Sequence, residues 1–523
     1  MKSKPVVLIA FLEQDNLGIG YVGSVLHQHG LNVYILDFRL GKQDILDRLI
    51  ALDPIVVGFS VIFQHFIDDF KDLIKFLKSN DIDCHFTAGG HYPSLRYEQL
   101  LNLIPELDSV VLFEGEITFL VLVQSLLDVK NWQNINGLAY RENGQINVNA
   151  LRHLEPDLDR FPPPLRQPLR EIAFGKKFAT ILAGRGCFYN CSFCSIHEFY
   201  SEPPGPLKRV RRPEMVVKEM ELLHKEKDCS VFMFQDDDFP ITYQKGAWLD
   251  TFLNQLDEYK LSDTIMWKIN CRSDEIHPKT LKRMKEHGLF LVYLGIESGT
   301  DEGLRQMNKH ITAETNLKAA QCIKDHNIEF DYGYMLFDPE STFEKIHANL
   351  DFLDRLVGDG SSPVTFCKMM PYAGTKVEQQ LISEERLFGD VGTEDYKFYD
   401  PRIDKLYEMM VNSFEQWIGS HSGLLNLARW VRHFLMVYRY YFKSTPDFET
   451  LAVKTKSILA ESNHTFTRTT RELIELSMND SLSQDNRSFS QLQKQVQSMH
   501  KSYCQSIELI IEDLNTIERQ SIR

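Results

Sequence analysis

Three cysteines close together are the residues of this chain best suited to chemistry. Cys187, Cys191 and Cys194 stand in "GRGCFYNCSFCS" at C-x3-C-x2-C spacing, in a chain of 523 residues with nine cysteines. A structural zinc site takes four ligands, and disulfide frameworks are typical of small secreted chains with even numbers of cysteines. Three neighbouring thiolates therefore indicate a metal centre with one open position. An iron–sulfur cluster and a zinc site completed by a residue such as His197 both remain possible.

Charged residues follow three further strand candidates. "SVFMF" is followed by "QDDDF" with Asp236–Asp238, "IMWKI" by "NCRSD" with Arg272, and "LFLVYL" by "GIESG" with Glu297. In parallel α/β barrels the active-site residues lie at the carboxyl ends of the strands. These side chains are therefore candidates for one site. A plain ion pair between Arg272 and Asp274 is the alternative.

Two series of alternating strands and helices must position these groups. The first runs from Pro5 to about Leu127, and the second begins at Phe178 and contains six βα units. This alternation predicts an α/β protein with an N-terminal doubly wound parallel sheet, Rossmann- or flavodoxin-like, and a central partial (β/α)6 barrel. From about Val377 the pattern becomes helical. Its aromatic-rich stretch "LARWVRHFLMVYRYYF" is expected to form core packing.

The composition limits the possible partners. The chain is 43% hydrophobic and 25% charged, with a net charge of -15, which argues against a general nucleic-acid surface. The basic stretch "KRVRR" is short, and we expect a solvated or substrate-facing loop there. No apolar run reaches membrane-spanning length. Few cysteines and no targeting segment favour a reducing cytoplasm, and we expect neither a nucleic-acid nor a membrane partner.

The cysteine motif, with Phe193 just before its last cysteine, resembles the radical S-adenosylmethionine (SAM) superfamily from Phe178 to about Leu381. The resemblance implies that the three cysteines hold a [4Fe–4S] cluster whose open iron binds the amino and carboxylate groups of SAM. An electron from the cluster then splits SAM into methionine and a 5′-deoxyadenosyl radical. The electron donor would be a protein such as flavodoxin or ferredoxin.

The same resemblance implies the SAM-binding residues. Phe193 belongs to this set. Asp236, Asp237 and Asp238 replace the family's GGE motif, which meets the SAM amino group; which aspartate acts is left open. Arg272 would face the SAM carboxylate or a nearby acid, and Glu297 would accept hydrogen bonds from the ribose hydroxyls. "PYAGT" resembles the "PYPGT" that follows the sixth strand in relatives.

The N-terminal segment carries two competing fingerprints. "LGIGYVGSVL" contains G-x-G-x-x-G, and Asp37 ends the next strand, which outlines a dinucleotide site. The match is weak because "LEQDNL" separates the glycines from the preceding strand. A degenerate, empty domain is a further alternative.

The same segment more closely resembles the cobalamin-binding fold, with its D-x-H-x-x-G, S-x-L and GG motifs. The corresponding residues here are Asp15, Leu17, Gly20, Ser60, Gly89, Gly90 and Glu114. Glu114 is the second residue of "FEGE" (Phe113–Glu116). The position that holds the cobalt-ligating histidine in the family is Leu17. We therefore expect cobalamin without a histidine ligand. The implied domains are 1–150 (cobalamin-binding-like), 151–172 (linker), 173–380 (radical SAM barrel) and 381–523 (helical).

These features lead to one favoured function and two alternatives. The favoured function is a cobalamin-dependent radical SAM methyltransferase that acts on an unactivated carbon or phosphorus centre of a small-molecule or peptide substrate. The first alternative has the same architecture but a non-methylating radical reaction, such as cyclisation, ring contraction or deoxygenation. The second is a non-catalytic sensor that binds metal and corrin.

Overall fold

A computed structural model describes residues 4–12, 15–478 and 482–521. The chain forms two compact units, each built from segments that are not contiguous in the sequence. The first unit contains Met1–Pro168, Thr180–Glu219 and Met370–Tyr396, and the second contains Leu169–Ala179, Met220–Met369 and Lys397–Arg523. The predicted domain ranges are contiguous in sequence, whereas these two units are groups of segments that pack together. The predicted domain boundaries therefore remain predictions.

The first unit is built on a seven-stranded sheet. Its strands are β1 (Val6–Ala10), β2 (Val33–Asp37), β3 (Val56–Ser60), β4 (His85–Gly89), β5 (Ser109–Val111), β6 (Leu138–Glu142) and β7 (Gln145–Val148). Their order is β2-β1-β3-β4-β5-β6-β7, and the first five are parallel. This is the flavodoxin-like order, so the predicted doubly wound sheet is confirmed. The antiparallel β6–β7 hairpin was not predicted.

Helices cover both faces of this sheet. They are α1 (Leu17–Gln28), α2 (Lys42–Leu52), α3 (Ile67–Ser79), α4 (His91–Leu95), α5 (Tyr97–Leu103) and α6 (Gly115–Leu127). Side chains of a strand point alternately to opposite faces. Val6 and Leu8 of β1 accordingly pack in one hydrophobic core, and Val7 and Ile9 pack in the other. This two-sided burial explains why the strands read as continuous apolar runs.

The next elements along the chain begin with the two strands that form one edge of the second sheet, followed by the elements that flank the cysteine motif. They are β8 (Arg170–Ala173), β9 (Lys176–Ile181), β10 (Gly184–Arg185), α7 (Ser195–Ser201), β11 (Arg209–Val210) and α8 (Pro213–Lys227). The cysteine motif lies between β10 and α7. Five 3-10 helices occur in the described residues, at Phe38–Leu40, Gln64–Phe66, Leu158–Arg160, Tyr243–Gly246 and Ser273–Glu275.

The second unit contains the predicted half-barrel. Its elements are β12 (Cys229–Phe234), α9 (Ala247–Glu258), β13 (Met266–Arg272), α10 (Pro278–Glu286), β14 (Leu289–Glu297), α11 (Asp301–Gln306), α12 (Ala313–Asp325), β15 (Glu329–Phe337), α13 (Phe343–Val357) and β16 (Cys367–Lys368). The curled sheet has the order β16-β15-β14-β13-β12-β9-β8, with β8 antiparallel at its edge. The last strand is shorter than predicted, because the backbone N–H of Val364 donates to Asn463 Oδ1 (2.8 Å) instead of to a neighbouring strand.

The remainder is mostly helical, as predicted. Its elements are α14 (Lys376–Ser383), β17 (Leu387–Phe388), β18 (Asp395–Tyr396), α15 (Pro401–Ile418), α16 (Leu424–Tyr441), α17 (Pro446–Met478) and α18 (Leu482–Ser521). The small β17–β18 ribbon was not predicted. The aromatic stretch of α16 is core, as expected: the rings of Phe434, Tyr438 and Phe442 lie 5.2, 5.4 and 5.7 Å from that of Phe174. Within the described part of the chain, no helix is both long and apolar enough to span a membrane.

A half-buried histidine of α16 makes stability depend on pH. His433 faces Asp331, Arg432, Arg429 and Lys268, and burial lowers the pKa of its imidazole from 6.5 to about 4. The unfolded chain therefore binds the proton more tightly. The stabilisation by neutral His433 is complete above about pH 6.5 and is lost as the pH falls towards 4.

The unfolding free energy of the wild type should decrease from pH 7 to pH 5. We expect this decrease to be about 2 kcal/mol smaller in His433→Gln. Urea unfolding at the two pH values measures this difference. His421→Gln, at an exposed position, is the control and should keep the wild-type slope. Equal pH dependence of wild type and His433→Gln would contradict the assignment.

Candidate functional site

The cysteine loop is anchored at its carboxyl end. Cys187, Cys191 and Cys194 form no disulfide and are half-buried. The backbone N–H of Cys194 donates to the carbonyl of Cys191 (3.1 Å), and Cys194 is the N-cap residue of α7. The carbonyl of Ser192 accepts from the backbone N–H of Val377 (3.2 Å), just after the PYAGT segment. The loop is thus held by backbone hydrogen bonds, and its thiols form no disulfide.

A short antiparallel ribbon anchors the other end of the loop. Strands β10 and β11 pair Gly184 with Val210 and Arg185 with Arg209. A Cβ atom on Gly186 would lie 1.8 Å from the carbonyl oxygen of Leu207, and the residue has φ +81°. Only glycine fits such a contact and such a backbone angle. Gly186 therefore fixes the ribbon directly before Cys187.

The donor set of the loop fits an iron–sulfur cluster. Among the described residues, no three His, Cys, Asp or Glu side chains gather closely enough to hold a single metal ion. A four-iron cluster binds its thiolates at different irons, so its ligands need not meet at one point, unlike those of zinc. His197, the alternative fourth zinc ligand, has a buried Nδ1 with no hydrogen-bond partner in the described structure. Among the described residues, His197 and the three cysteines do not gather around one point, as a zinc site closed by His197 would require.

The ribbon arginines are paired with the "FEGE" acids. Arg185 donates to Glu114 (3.0 Å) and Glu116 (2.6 Å), and Arg209 donates to both carboxylate oxygens of Glu114 (2.8 Å each). Burial alone would raise the pKa of Glu114, but the guanidinium groups of Arg185 and Arg209 hold it below its usual value. Glu114 thus stays ionised inside the protein.

The expectation of a solvated "KRVRR" loop is wrong. The exposed fractions of Arg209 and Arg211 are 3% and 8%. Arg211 donates to Glu219 (2.7 Å) and Asp159 (3.1 Å), so its charge is neutralised inside the first unit. The sequence could not reveal this, because the acids that pair with Arg211 lie outside the basic run. The run itself reads the same whether its side chains face solvent or are paired inside the fold.

Asp15 is also engaged with protein groups. It has φ +63° and accepts from Arg166 (3.2 Å) and from the hydroxyl of Thr180 (3.2 Å). Arg166 in turn donates to Glu219 (2.9 Å). A chain of ion pairs therefore links the loop after β1 to the end of β9 and to α8.

The other residues of the cobalamin motifs lie along the carboxyl edge of the first sheet. Leu17 is the buried first residue of α1, and Ser60 ends β3 and pairs with Gly89, the last residue of β4. Gly90 has φ +119°, and a Cβ there would lie 2.5 Å from the carbonyl oxygen of Val61. A Cβ on Gly20 would lie 2.6 Å from the carbonyl oxygen of Leu165. Because glycine has no side chain, the linker can pass close to α1 at this point.

The same edge carries exposed apolar side chains, which fit a large, flat cofactor. Ile62 and Phe63 follow β3 after the buried Val61, and they are 38% and 49% exposed. Exposed apolar groups next to a sheet edge commonly mark a ligand surface. The edge thus offers an apolar cradle together with the close backbone approach that its glycines allow.

In the second unit, the three aspartates after β12 differ in exposure. Asp236 and Asp238 are 2% and 3% exposed, whereas Asp237 is exposed. Asn270 of β13 donates to the backbone carbonyl of Asp236 (3.0 Å), which fixes the turn. Asp236 and Asp238 are therefore the two members of the run whose carboxylates are held inside the fold.

Arg272 forms the ion pair considered as the alternative, but its guanidinium is buried. It donates to both carboxylate oxygens of Asp274 (2.9 and 3.2 Å) and to the backbone carbonyl of Lys309 (2.7 Å). The exposed fractions of the Arg272 and Asp274 side chains are 7% and 35%. The acid at the rim is thus oriented by the buried guanidinium.

Glu297 ends β14 in a strained conformation. It has φ +65°, the ladder shifts register there, and its carboxylate accepts from Lys309 Nζ (3.1 Å). A Cβ on Gly295 would lie 2.9 Å from Glu297 Oε1, and one on Gly333 would lie 3.1 Å from Oε2. The two glycines, which pair across β14 and β15, therefore leave the room that Glu297 occupies. Such strain commonly occurs at functional sites.

Sequence reasoning missed three polar side chains of the barrel unit. Lys309 pairs with Glu297, and the hydroxyl of Tyr293 lies 3.1 Å from the Cβ position of Gly333. Lys268, two and four residues before Asn270 and Arg272 on β13, donates to Asn270 Oδ1, and burial lowers its pKa to about 8. In "KINCR", polar residues alternate with period two, which places Lys268 on the same face of the strand as Asn270 and Arg272. This pattern could have indicated Lys268, whereas no sequence pattern indicated Lys309.

We expect Gly186→Ala to prevent stable cluster assembly, because the new methyl group would collide with the Leu207 carbonyl and displace Cys187. Iron content after anaerobic reconstitution, together with the thermal midpoint, measures this. Gly144→Ala is the matched control: it has φ +79° but no atom within 4 Å of the Cβ position. It should cost about 1 kcal/mol from the backbone alone and retain iron. Full iron content in Gly186→Ala would disprove the proposed constraint.

Comparison with known proteins agrees with this geometry. The family model described as "Radical SAM superfamily" matches residues 181–353, and the one described as "B12 binding domain" matches residues 4–123. Together these matches cover more than half of the chain.

Two relatives and one solved structure illustrate what the chain is similar to. The uncharacterized methyltransferase PH0819 of Pyrococcus horikoshii is 28% identical over 81% of this chain and 94% of its own length. The anaerobic magnesium-protoporphyrin IX monomethyl ester cyclase of Rubrivivax gelatinosus is 29% identical over 59% of this chain, which spans about half (55%) of the cyclase. The structure of the cobalamin-dependent radical enzyme OxsB, with aqua-cobalamin and SAM bound, has TM-score 0.69 and 18% identity, covering 100% of this chain and 82% of OxsB. The chain therefore belongs to the radical SAM superfamily, and its N-terminal part is a B12-binding domain.

Proposed function

We propose that this cobalamin-dependent radical SAM enzyme transfers a methyl group to an unactivated carbon or phosphorus centre of a small molecule or peptide. The observation that carries the proposal is the placement of the cysteine loop and the corrin-type sheet edge in one compact unit. A reaction that uses both cofactors needs them on one rigid support. The relative PH0819, which this chain covers almost completely, is named a methyltransferase.

Cys187, Cys191 and Cys194 are the proposed cluster ligands. When bound, the cluster supplies the electron for SAM cleavage, and cobalamin supplies a carrier for the methyl group. The protein's part is to keep the loop fixed, so that the three thiols are presented to the cluster. The backbone bonds of Ser192 and Cys194 and the ribbon before Gly186 do this. Phe193 lies within the same loop and is proposed to contact SAM.

The SAM-binding roles assigned to the barrel unit are proposals supported by chemistry and burial. The buried carboxylates of Asp236 and Asp238 suit an ammonium group, and Asp237 is the least suited because it is exposed. Glu297 can accept hydrogen bonds from ribose hydroxyls alongside Lys309. Arg272 orients Asp274 through its Nε and Nη2 and also donates to the Lys309 carbonyl. It keeps its proposed role of facing the SAM carboxylate or a nearby acid.

The proposed corrin contacts are Leu17, Gly20, Ser60, Gly89 and Gly90. Leucine offers no lone pair, so cobalt would carry no protein nitrogen from this position. Asp15 and Glu114 are bonded to arginines, and they support the edge instead of binding the cofactor directly. This departs from the roles that the motifs alone implied.

A non-methylating radical reaction is the second candidate. The similarity to a cyclase favours it, since that relative is as close in identity as PH0819. The cyclase similarity covers only part of both proteins, whereas the PH0819 similarity covers nearly all of that relative. Methylation is therefore preferred. A non-catalytic sensor would need none of the charged groups at the strand ends.

The electron donor and cellular location complete the proposal. A reducing protein such as flavodoxin or ferredoxin would supply the electron. The low cysteine content and the absence of disulfides among the nine cysteines, all of which lie in the described residues, suit the cytoplasm. We propose neither a nucleic-acid nor a membrane partner, given the net charge of -15.

The function is tested by anaerobic purification with iron and cobalamin supplied, followed by reduction with SAM present. We expect 5′-deoxyadenosine from the wild type, and a methyl-group gain in mass for the product once a substrate is found. Cys191→Ala should abolish iron binding and SAM cleavage, while Cys322→Ala, a half-buried cysteine of α12, should preserve both. SAM cleavage with an unmethylated product would instead support the cyclase-type reaction. A lack of cleavage by reconstituted wild type would support the sensor.

Glu297→Gln is expected to weaken SAM binding by roughly 1–3 kcal/mol, because the ribose hydroxyls would lose a charged acceptor. Calorimetry on the reconstituted enzyme measures the affinity. Glu314→Gln, on the exposed side of α12, is the control and should bind SAM like the wild type. Unchanged affinity in Glu297→Gln would remove Glu297 from the SAM site.

A further inference from the structure

The acids of the FEGE segment and the arginine before the cysteine motif form one buried cluster. We propose that Glu114 and Glu116 are positioning residues that fix the cysteine loop to the carboxyl edge of the B12-binding domain through Arg185. The proposal concerns how the two cofactor sites are held. It does not depend on whether the product carries a methyl group.

The contacts are short and withdrawn from solvent. The exposed fractions of the Arg185, Glu114, Glu116 and Arg209 side chains are 10%, 11%, 5% and 2%. Arg185 contacts one carboxylate with each terminal nitrogen, and Arg209 binds Glu114 in bidentate fashion. Two guanidinium groups are therefore balanced by two carboxylates.

The ribbon makes this balance obligatory. Arg185 and Arg209 are directly paired across β10 and β11, and like charges opposite each other destabilise an antiparallel pair. A buried charge without a partner is strongly unfavourable. Glu114 touches both arginines, so the ribbon can close only when the FEGE segment is in place.

The cluster acts directly on the metal-binding loop. Arg185 precedes Cys187 with only Gly186 between them, and the backbone at Gly186 is fixed by its contact with Leu207. On the other side, Glu114 is the N-cap residue of α6 and lies three residues after the end of β5, and Glu116 lies in the first turn of α6. The acids thus belong to the rigid edge and the arginine to the loop.

A second contact holds the far end of the loop to the same edge. Phe199 of α7 stacks on His91, which follows Gly90, with ring centroids 4.2 Å apart and planes inclined by 6°. Burial lowers the pKa of His91 to about 4, so the stacked ring is neutral at physiological pH. The loop is therefore held at both ends by residues adjacent to the corrin motifs.

The ion-pair cluster also places charges close in sequence to the cysteines. This gives a test that separates positioning from folding. Reduction adds a negative charge to the iron–sulfur cluster. Loss of a neighbouring carboxylate should then favour the reduced form, and loss of the guanidinium should disfavour it. Simple loss of structure would move both variants in the same direction.

The experiment uses reconstituted holoenzyme with cobalamin bound. We expect Glu116→Gln to shift the cluster midpoint potential upwards and Arg185→Gln to shift it downwards, with the double variant between them because the two residues act as a pair. Arg185→Lys should restore the potential but, lacking the planar fork, should leave a broadened paramagnetic signal. Magnetic broadening of Co(II) by the reduced cluster reports their separation, and it should change in Arg185→Gln.

Arg432→Gln removes an equally buried ion pair, with Asp331 and Glu329, in the second unit, and it should lower the thermal midpoint without moving the potential or the Co(II) signal. If the Gln variants do not fold, Glu116→Asp and Arg185→Lys decide by the same readouts. Folded variants with wild-type potential and wild-type Co(II) broadening would overturn the proposal. Shifts of equal sign in Glu116→Gln and Arg185→Gln would reduce the acids to a structural role.

Discussion

The need to neutralise buried arginines governs the first unit. Arg185, Arg209 and Arg211 are carried into the interior by the segment around the cysteine motif, and each pairs with a carboxylate that is distant in sequence: Glu116, Glu114 and Asp159. Removing one partner from a buried pair costs far more than the pair gains over an apolar replacement. The arrangement therefore contributes less to stability than to specifying one orientation of the loop.

Both sheets use glycine pairs to make space at their carboxyl edges. In the first, Gly90 allows the chain to pass close to Val61. In the second, Gly295 and Gly333 leave room for the folded-back carboxylate of Glu297. An edge built in this way presents backbone and a few polar groups, with little side-chain bulk. Such an edge suits large cofactors that must lie flat against it.

Much of this could be predicted from the sequence, for identifiable reasons. Buried parallel strands give continuous apolar runs, so the strands of both alternating series were recognised, whereas the antiparallel strands β6, β7 and β8 were not. The cysteine spacing indicated a metal centre with one open position. Partners across the fold were not recognisable. The acids for Arg209 and Arg211 lie in other elements, Lys309 lies outside any motif, and β16 is shortened by a hydrogen bond from Val364 to Asn463. Asp15 and Glu114 matched a motif, yet they contact arginines.

The first unit is assembled from three separate segments of chain, and this sets an order during synthesis. The carbonyl of Ser192 is bonded to Val377, roughly 185 residues later, and Arg96 is paired with Glu378. At about 5–20 residues per second, a ribosome needs roughly 10–40 s to make the intervening stretch. Throughout that interval the nascent cysteine loop exists without its closing backbone contact. Metal delivery to a completed loop is consequently a late event that follows translation of the barrel.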